Sequence, residues 1–123
     1  MTNISNVAWI FVILNATTIF VLSSITFPSG IGAGFGYTST FYHFFAFFFL
    51  AFFLLIAIVG GDNDRKKYIF LVIIIAILYG VSDEIHQFFV MGRDCSLIDI
   101  VVDSIGVLTI SSIYPLFLKA KSL

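Results

Sequence analysis

Two long apolar stretches occupy the first half of the chain: Val7 to Thr26, interrupted by Asn15, Thr17, Thr18, Ser23 and Ser24, and Phe41 to Val59. Two more follow, from Tyr68 to about Val90 and from about Leu97 to Leu118. Each comes to about 20 residues, which as a helix is one crossing of a hydrocarbon layer roughly 30 Å thick. The pattern predicts four transmembrane helices with short connections, an all-α integral membrane bundle.

The connections differ in character. Phe27-Pro28-Ser29-Gly30-Ile31-Gly32-Ala33-Gly34-Phe35-Gly36 carries a proline and alternating glycines, which stop a helix and predict a flexible link at the membrane surface. It is not read as a dinucleotide loop. Phe35 stands where the third glycine is needed, and no βαβ pattern surrounds it. Gly60-Gly61-Asp62-Asn63-Asp64-Arg65-Lys66-Lys67 is the one strongly charged connection. The first stretch lacks a basic start and an Ala-x-Ala-like site, so it is expected to be a retained helix and not a cleaved signal.

Composition agrees with lipid as the solvent. Of 123 residues, 60% are hydrophobic and 11% charged, and the mean hydropathy is +1.12. A soluble domain carries roughly a quarter of its residues charged. A net charge of −1 leaves no basic patch for phosphates, which excludes nucleic acid as a partner. Cys95 is the single cysteine, so no intrachain disulfide can form and a free thiol is expected.

Charge placement predicts orientation. With four spans, the N-terminus, the Asp62–Lys67 connection and the C-terminus share one side, which holds Arg65, Lys66, Lys67, Lys119 and Lys121. The opposite side holds Arg93 alone. Positive charge favours the cytoplasm, so both termini are expected there. Trp9, Tyr68 and Tyr114 are then expected near the inner interface, and Tyr37 and Tyr42 near the outer one.

The same topology gathers the rare polar side chains. Asp83 lies about 22 Å along the third helix from its inner end. His43 is near the outer end of the second helix, and Asp99 and Asp103 fall in the first two turns of the fourth. His43, Asp83, Glu84, His86, Arg93, Asp99 and Asp103 therefore converge at one depth. At about 100° per residue, Asp83, Glu84, His86 and Gln87 share an arc of about 160°, opposite Val81, Ile85, Phe88 and Phe89. Ser96, Asp99, Asp103 and Gly106 share an arc of about 80° on the fourth helix. The simplest packing turns these two polar faces toward each other.

Four carboxylates then face one certain cation, Arg93. Like charges in a low dielectric cannot all remain ionised, so protons are shared, the histidines are charged, or a divalent cation binds. The spacing is not the His-Glu-x-x-His of zinc proteases. A bland alternative is an interhelical hydrogen-bond network. Such bonds average well under about 1 kcal/mol, whereas inserting a charge costs about 2.5–3.5 kcal/mol, so seven polar groups at one depth favour function. His43 by itself reads equally well as interfacial, and the phenylalanine-rich second helix, with Phe41 to Phe53 in it, as packing and lipid contact.

At Asp83-Glu84-Ile85-His86-Gln87-Phe88-Phe89-Val90-Met91-Gly92-Arg93 the chain resembles the VanZ-like family, proteins associated with resistance to the glycopeptide teicoplanin. The likeness continues through Asp99 to Gly106, where the family shows Asp-x-x-x-Asn-x-x-Gly, and His43-Phe44 resembles its earlier histidine motif. Three positions depart from the pattern. Asp103 replaces the asparagine, the lysine usual just before the histidine is missing, with Thr40 in that area, and Phe47 replaces the tyrosine usual one turn after it. The resemblance implies one VanZ-like four-helix domain over 1–123 and a role in the cell envelope, with antibiotic resistance as its context. It supplies no reaction.

Three functional readings follow. In the first, the protein is a membrane-embedded enzyme acting on lipid head groups or a lipid-linked envelope component. Asp83, Glu84, His86, Arg93 and Asp99 would be catalytic, with Asp83 or Glu84 exchanging a proton with His86. Arg93, His43, Gln87 and Asp103 would hold the substrate, Arg93 gripping an anionic group such as phosphate. Asp99 and Asp103 would orient His86 or hold a divalent cation. In the second, the same site binds a lipid or amphiphilic antibiotic without turnover. In the third, a proton- or cation-coupled transporter, a polar path should continue inward. Only Tyr79, Gly80, Thr109, Ser111 and Ser112 offer one, so this ranks last. The site is expected to face the extracytoplasmic side of the cell membrane. A bundle of four short helices is thin and open to self-association as a homo-oligomer.

Overall fold

The computed structural model describes residues 3–26 and 36–123, the side chains of 36–38 excepted. The glycine-rich link expected over 27–36, apart from the backbone of Gly36, and the side chain of Tyr37 expected at an interface lie outside the described residues. Four helices run Asn3–Ser24 (α1), Gly36–Ile58 (α2), Ile69–Phe89 (α3) and Leu97–Lys121 (α4). All four are long and apolar enough to cross a membrane. Their lengths of 22, 23, 21 and 25 residues match a hydrocarbon core roughly 30 Å thick. The chain is a multi-pass membrane protein of four helices.

Local signals explain the helix ends. At the end of α2, Gly60 has φ +60°, a left-handed conformation that glycine tolerates, and its N–H bonds the Leu55 carbonyl at 2.9 Å. The charged connection is not a loop throughout. Asn63–Tyr68 forms a 3₁₀ turn, because the Asp62 carboxylate accepts the Asp64 N–H at 2.9 Å and starts it. Ser96 caps α4, its hydroxyl accepting the Asp99 N–H at 3.4 Å, and Asp99 sits in the first turn where the helix dipole favours a carboxylate.

α2 packs against each of the other three helices. Its Phe47, Leu50, Ala51, Leu54 and Leu55 form the core with Val72 and Ala76 of α3 and Val107 and Ile110 of α4. A close backbone approach lies at Gly106, where an added Cβ would collide with the Phe44 carbonyl oxygen of α2. Small residues permit such contact between membrane helices. Large apolar side chains, among them Ile13, Phe70, Leu78, Phe88 and Leu116, cover the outside. That surface suits lipid and would be an aggregation liability in water.

Polar tethers fix the two ends. At one end Ser5 Oγ donates to the Ala57 carbonyl at 2.7 Å, and Tyr114 Oη to the Gly60 carbonyl at 2.6 Å. Tyr114 therefore lies at the expected end, yet it is only 7% exposed and serves the bundle interior instead of an interfacial belt. The physical reason is the Gly60 turn, whose carbonyl gives the phenol a partner. At the other end Thr26 Oγ1 donates to the Met91 carbonyl at 2.7 Å, joining the end of α1 to the α3–α4 connection.

Candidate functional site

The start of α2, the end of α3 and the start of α4 meet at that second end. His43 contributes from α2, Asp83, Glu84 and Gln87 from α3, and Asp99 and Asp103 from α4. All but Asp99 are buried, with Glu84 at 0% and Asp103 at 1% exposure. Exposed Ile85, Phe88 and Phe89 occupy the opposite face of α3, as the angular pattern predicts.

His43 is the centre of the arrangement. Its Nδ1 lies 2.9 Å from Asp103 Oδ1, and its Nε2 lies 3.6 Å from Asp99 Oδ2. The first contact is a hydrogen bond in which Nδ1–H donates to the carboxylate. The second is too long for one. Glu84 Oε2 accepts the Ser96 N–H at 2.9 Å, so this carboxylate also secures the start of α4. Glu84 Oε1 and Asp103 Oδ2 are buried and have no hydrogen-bond partner among the described residues. Asp83 Oδ2 accepts from Gln87 Nε2 at 3.2 Å, one turn along the same helix.

Three of these side chains meet the geometric condition for metal ligation. His43, Glu84 and Asp99 each offer a ligand atom, and the three atoms lie within 4.8 Å of one another.

Two expected members sit elsewhere. His86 faces α1, where its Nε2 is 2.8 Å from Ser24 Oγ and its ring stacks on Phe20 with centroids 4.7 Å apart. Among the described residues no ion pair joins it to Asp99 or Asp103; the histidine beside those carboxylates is His43, whose ring Asp103 hydrogen-bonds. The cause is angular: on one helix His86 and the Glu84–Asp83 pair project across a wide arc, and α1 lies against one edge of it. Arg93 also turns to α1, its guanidinium donating to the Leu22 carbonyl. The last carbonyls of a helix form the negative end of its dipole, which favours a cation there, and the Leu22 carbonyl accepts from Arg93 as well as, at 3.4 Å, from the Ile25 N–H. The Arg93 Nε is buried and has no hydrogen-bond partner among the described residues. Among the described residues, no ion pair joins Arg93 to an acid.

The packing of α4 also differs in detail from the two-helix expectation. Its polar face meets α2 through His43–Asp103 and Gly106–Phe44, as well as α3 through Glu84 and Gly80. A Cβ on Gly80 would come within 3.2 Å of Asp103 Oδ2. Leu22, whose carbonyl engages Arg93, escapes sequence reasoning because every residue carries that group; Ser96 is placed on the polar face of the fourth helix by its spacing, but its N–H contact with Glu84 is likewise a backbone feature. Ser24 was visible as a polar break at the end of the first stretch.

The sequence model of the VanZ/LLP1 family matches residues 2–118. The chain belongs to that family. Searches of curated proteins and of solved structures found no match. In this VanZ/LLP1 chain the segments that carry the family likeness, His43-Phe44, Asp83 to Arg93 and Asp99 to Gly106, are the ones brought to one end of the bundle. Asp103, where the family usually has asparagine, makes the hydrogen bond that fixes the His43 ring.

Proposed function

We propose that this protein serves the cell envelope by binding or chemically altering a lipid or lipid-linked component at the His43–Glu84–Asp99–Asp103 cluster. The observation that carries the reading is a histidine 6% exposed, set between two carboxylates with a third beside it, inside a largely apolar bundle. Placing each charge there costs about 2.5–3.5 kcal/mol, more than interhelical hydrogen bonds of about 0.6 kcal/mol return. Asp99, whose side chain is 24% exposed, is the cluster's opening to the surroundings. A head group entering there would meet Asp99 and His43 first. His43 is the acid–base candidate, Asp103 holds its ring, and Arg93 offers positive charge at the same end of the bundle. The charge distribution supports the extracytoplasmic face as the side of this end.

The polar groups deeper in the bundle support a site open at one end over a transport path. Asn15 Nδ2 and Tyr79 Oη donate to the Ala46 and Ala16 carbonyls at 3.1 Å and 2.6 Å, so they tie helices together. Phe47, Val72, Ala76, Val107 and Ile110 form an apolar layer among them.

The test is to replace His43, Glu84 and Asp99 singly with Ala, Gln and Asn in the native host and confirm equal membrane levels. Envelope lipids are then profiled by mass spectrometry and glycopeptide susceptibility is measured. A changed lipid class in the variants supports turnover. A ligand that copurifies unaltered with the wild type and is lost from the variants supports binding. Unchanged lipids, no copurifying ligand and unchanged susceptibility in all three overturn the reading.

A further inference from the structure

We propose that His43 Nε2, Glu84 and Asp99 are the ligands of a divalent cation of the zinc class. The three donors come from three different helices, and they lie within 4.8 Å of one another. Four features point to a cation there. Asp103 accepts from Nδ1, which fixes the ring and directs the Nε2 electron pair away from it, toward Asp99. A carboxylate behind a ligating imidazole is the usual support of a protein metal site, because it sets the tautomer and raises ligand basicity.

The Nε2–Asp99 distance is the second feature. At 3.6 Å it is too long for a hydrogen bond. Two ligands each about 2.05 Å from a tetrahedral ion stand about 3.4 Å apart, so the spacing fits ligands of one ion. Third, Glu84 has no exposed surface, and its Oε1 has no hydrogen-bond partner among the described residues while Oε2 is held by Ser96. A fully buried carboxylate oxygen without a donor calls for a cation or a proton. Fourth, three carboxylates surround a single imidazole, and a divalent ion balances that charge more fully than one imidazolium.

The donor set selects the ion. One imidazole nitrogen with two carboxylates suits zinc and its neighbours better than magnesium or calcium, which take oxygen ligands in larger number. Three protein ligands leave a fourth position open, the pattern of sites that take water or a substrate oxygen. The partly exposed Asp99 puts that position at the opening of the cluster. The site uses the same side chains as the lipid-site reading and stands without it, since metal content and lipid profile are separate measurements.

The experiment uses the untagged full-length protein, purified in detergent, stripped with chelator and titrated with Co2+ and Zn2+. The expected result is about one equivalent of metal per chain, with visible Co2+ absorption of tetrahedral intensity that Zn2+ displaces. Asp99→Asn and Glu84→Gln should abolish the absorption, and Asp103→Asn should weaken binding about 10–100-fold. Circular dichroism and elution volume check each variant's fold. Asp99 is partly exposed, so its variant remains informative if Glu84→Gln misfolds. Failure of the wild type to bind Co2+ or Zn2+, or equal binding by wild type and a folded Asp99→Asn, overturns the proposal. Metal binding together with unchanged lipids, no copurifying ligand and unchanged susceptibility would leave the metal site standing and remove the lipid reading.

Discussion

The His43 Nδ1–Asp103 Oδ1 bond, 2.9 Å long, joins α2 to α4 less than one turn from the place where Gly106 meets the Phe44 backbone. Both side chains are buried, and the bond is the link between a ring that must point in one direction and the helix that directs it. Its strength follows from its surroundings. Interhelical bonds in membranes average about 0.6 kcal/mol because separated helices find other partners. A buried bond to an acid is charge-assisted and has few substitutes. A double-mutant cycle with His43→Ala and Asp103→Ala, read by unfolding in mixed detergent, should give a coupling of about 2 kcal/mol. A coupling at or below the membrane average would reduce the pair to ordinary helix packing.

Gly106 sets how close α4 can come. A Cβ there would collide with a backbone carbonyl, which cannot rotate aside as a side chain can. Gly106→Ala should destabilise the protein by about 1–3 kcal/mol, and Gly106→Val by more. Because His43 is the residue before Phe44, the substitution should also weaken Co2+ binding by at least about 10-fold. Retained Co2+ affinity in a folded Gly106→Ala protein would show that the cluster does not depend on this approach.

Much of this site was legible in the sequence because depth and angle follow from counting. Four apolar stretches and their alternation placed His43, Glu84, Asp99 and Asp103 at one end, and the helical period put Asp99, Asp103 and Gly106 on one face. What counting could not resolve was choice among neighbours. His86 and Arg93 share the depth, yet α1 presents Ser24 and the Leu22 carbonyl to them, and each turns there. That choice depends on how α1 lies against α3, and α1 is an apolar stretch with little angular pattern to show it. Likewise Tyr114 counted correctly to its end, while the Gly60 carbonyl that pulls it inward is a backbone feature.

The far end of the bundle serves as an independent control. Tyr114→Phe removes the hydroxyl that reaches Gly60 and should cost about 1 kcal/mol. Gly60→Ala forces a side chain into a φ of +60° and should cost about 1–2 kcal/mol. Neither lies near His43, so both should lower the unfolding midpoint while Co2+ affinity stays within about twofold. A large loss of metal from either would mean that cluster geometry depends on the whole bundle and not on its own three helices.

The orientation of the bundle decides what the cluster can meet, and the chain carries its own reporter. Cys95 is the single cysteine and is exposed, in the connection between α3 and α4 beside the cluster. Five Lys and Arg residues lie at the opposite end and Arg93 alone at this one, a bias that favours the cytoplasm for the more positive end. A membrane-impermeant maleimide added to intact cells should therefore label the wild type. In a Cys95→Ser background, Ser122→Cys moves the thiol to the other end, and that protein should be labelled only after the membrane is opened. The reverse result would place the cluster in the cytoplasm. Its ligands would then have to come from the inner leaflet or the cytosol, and an extracytoplasmic envelope substrate would be excluded.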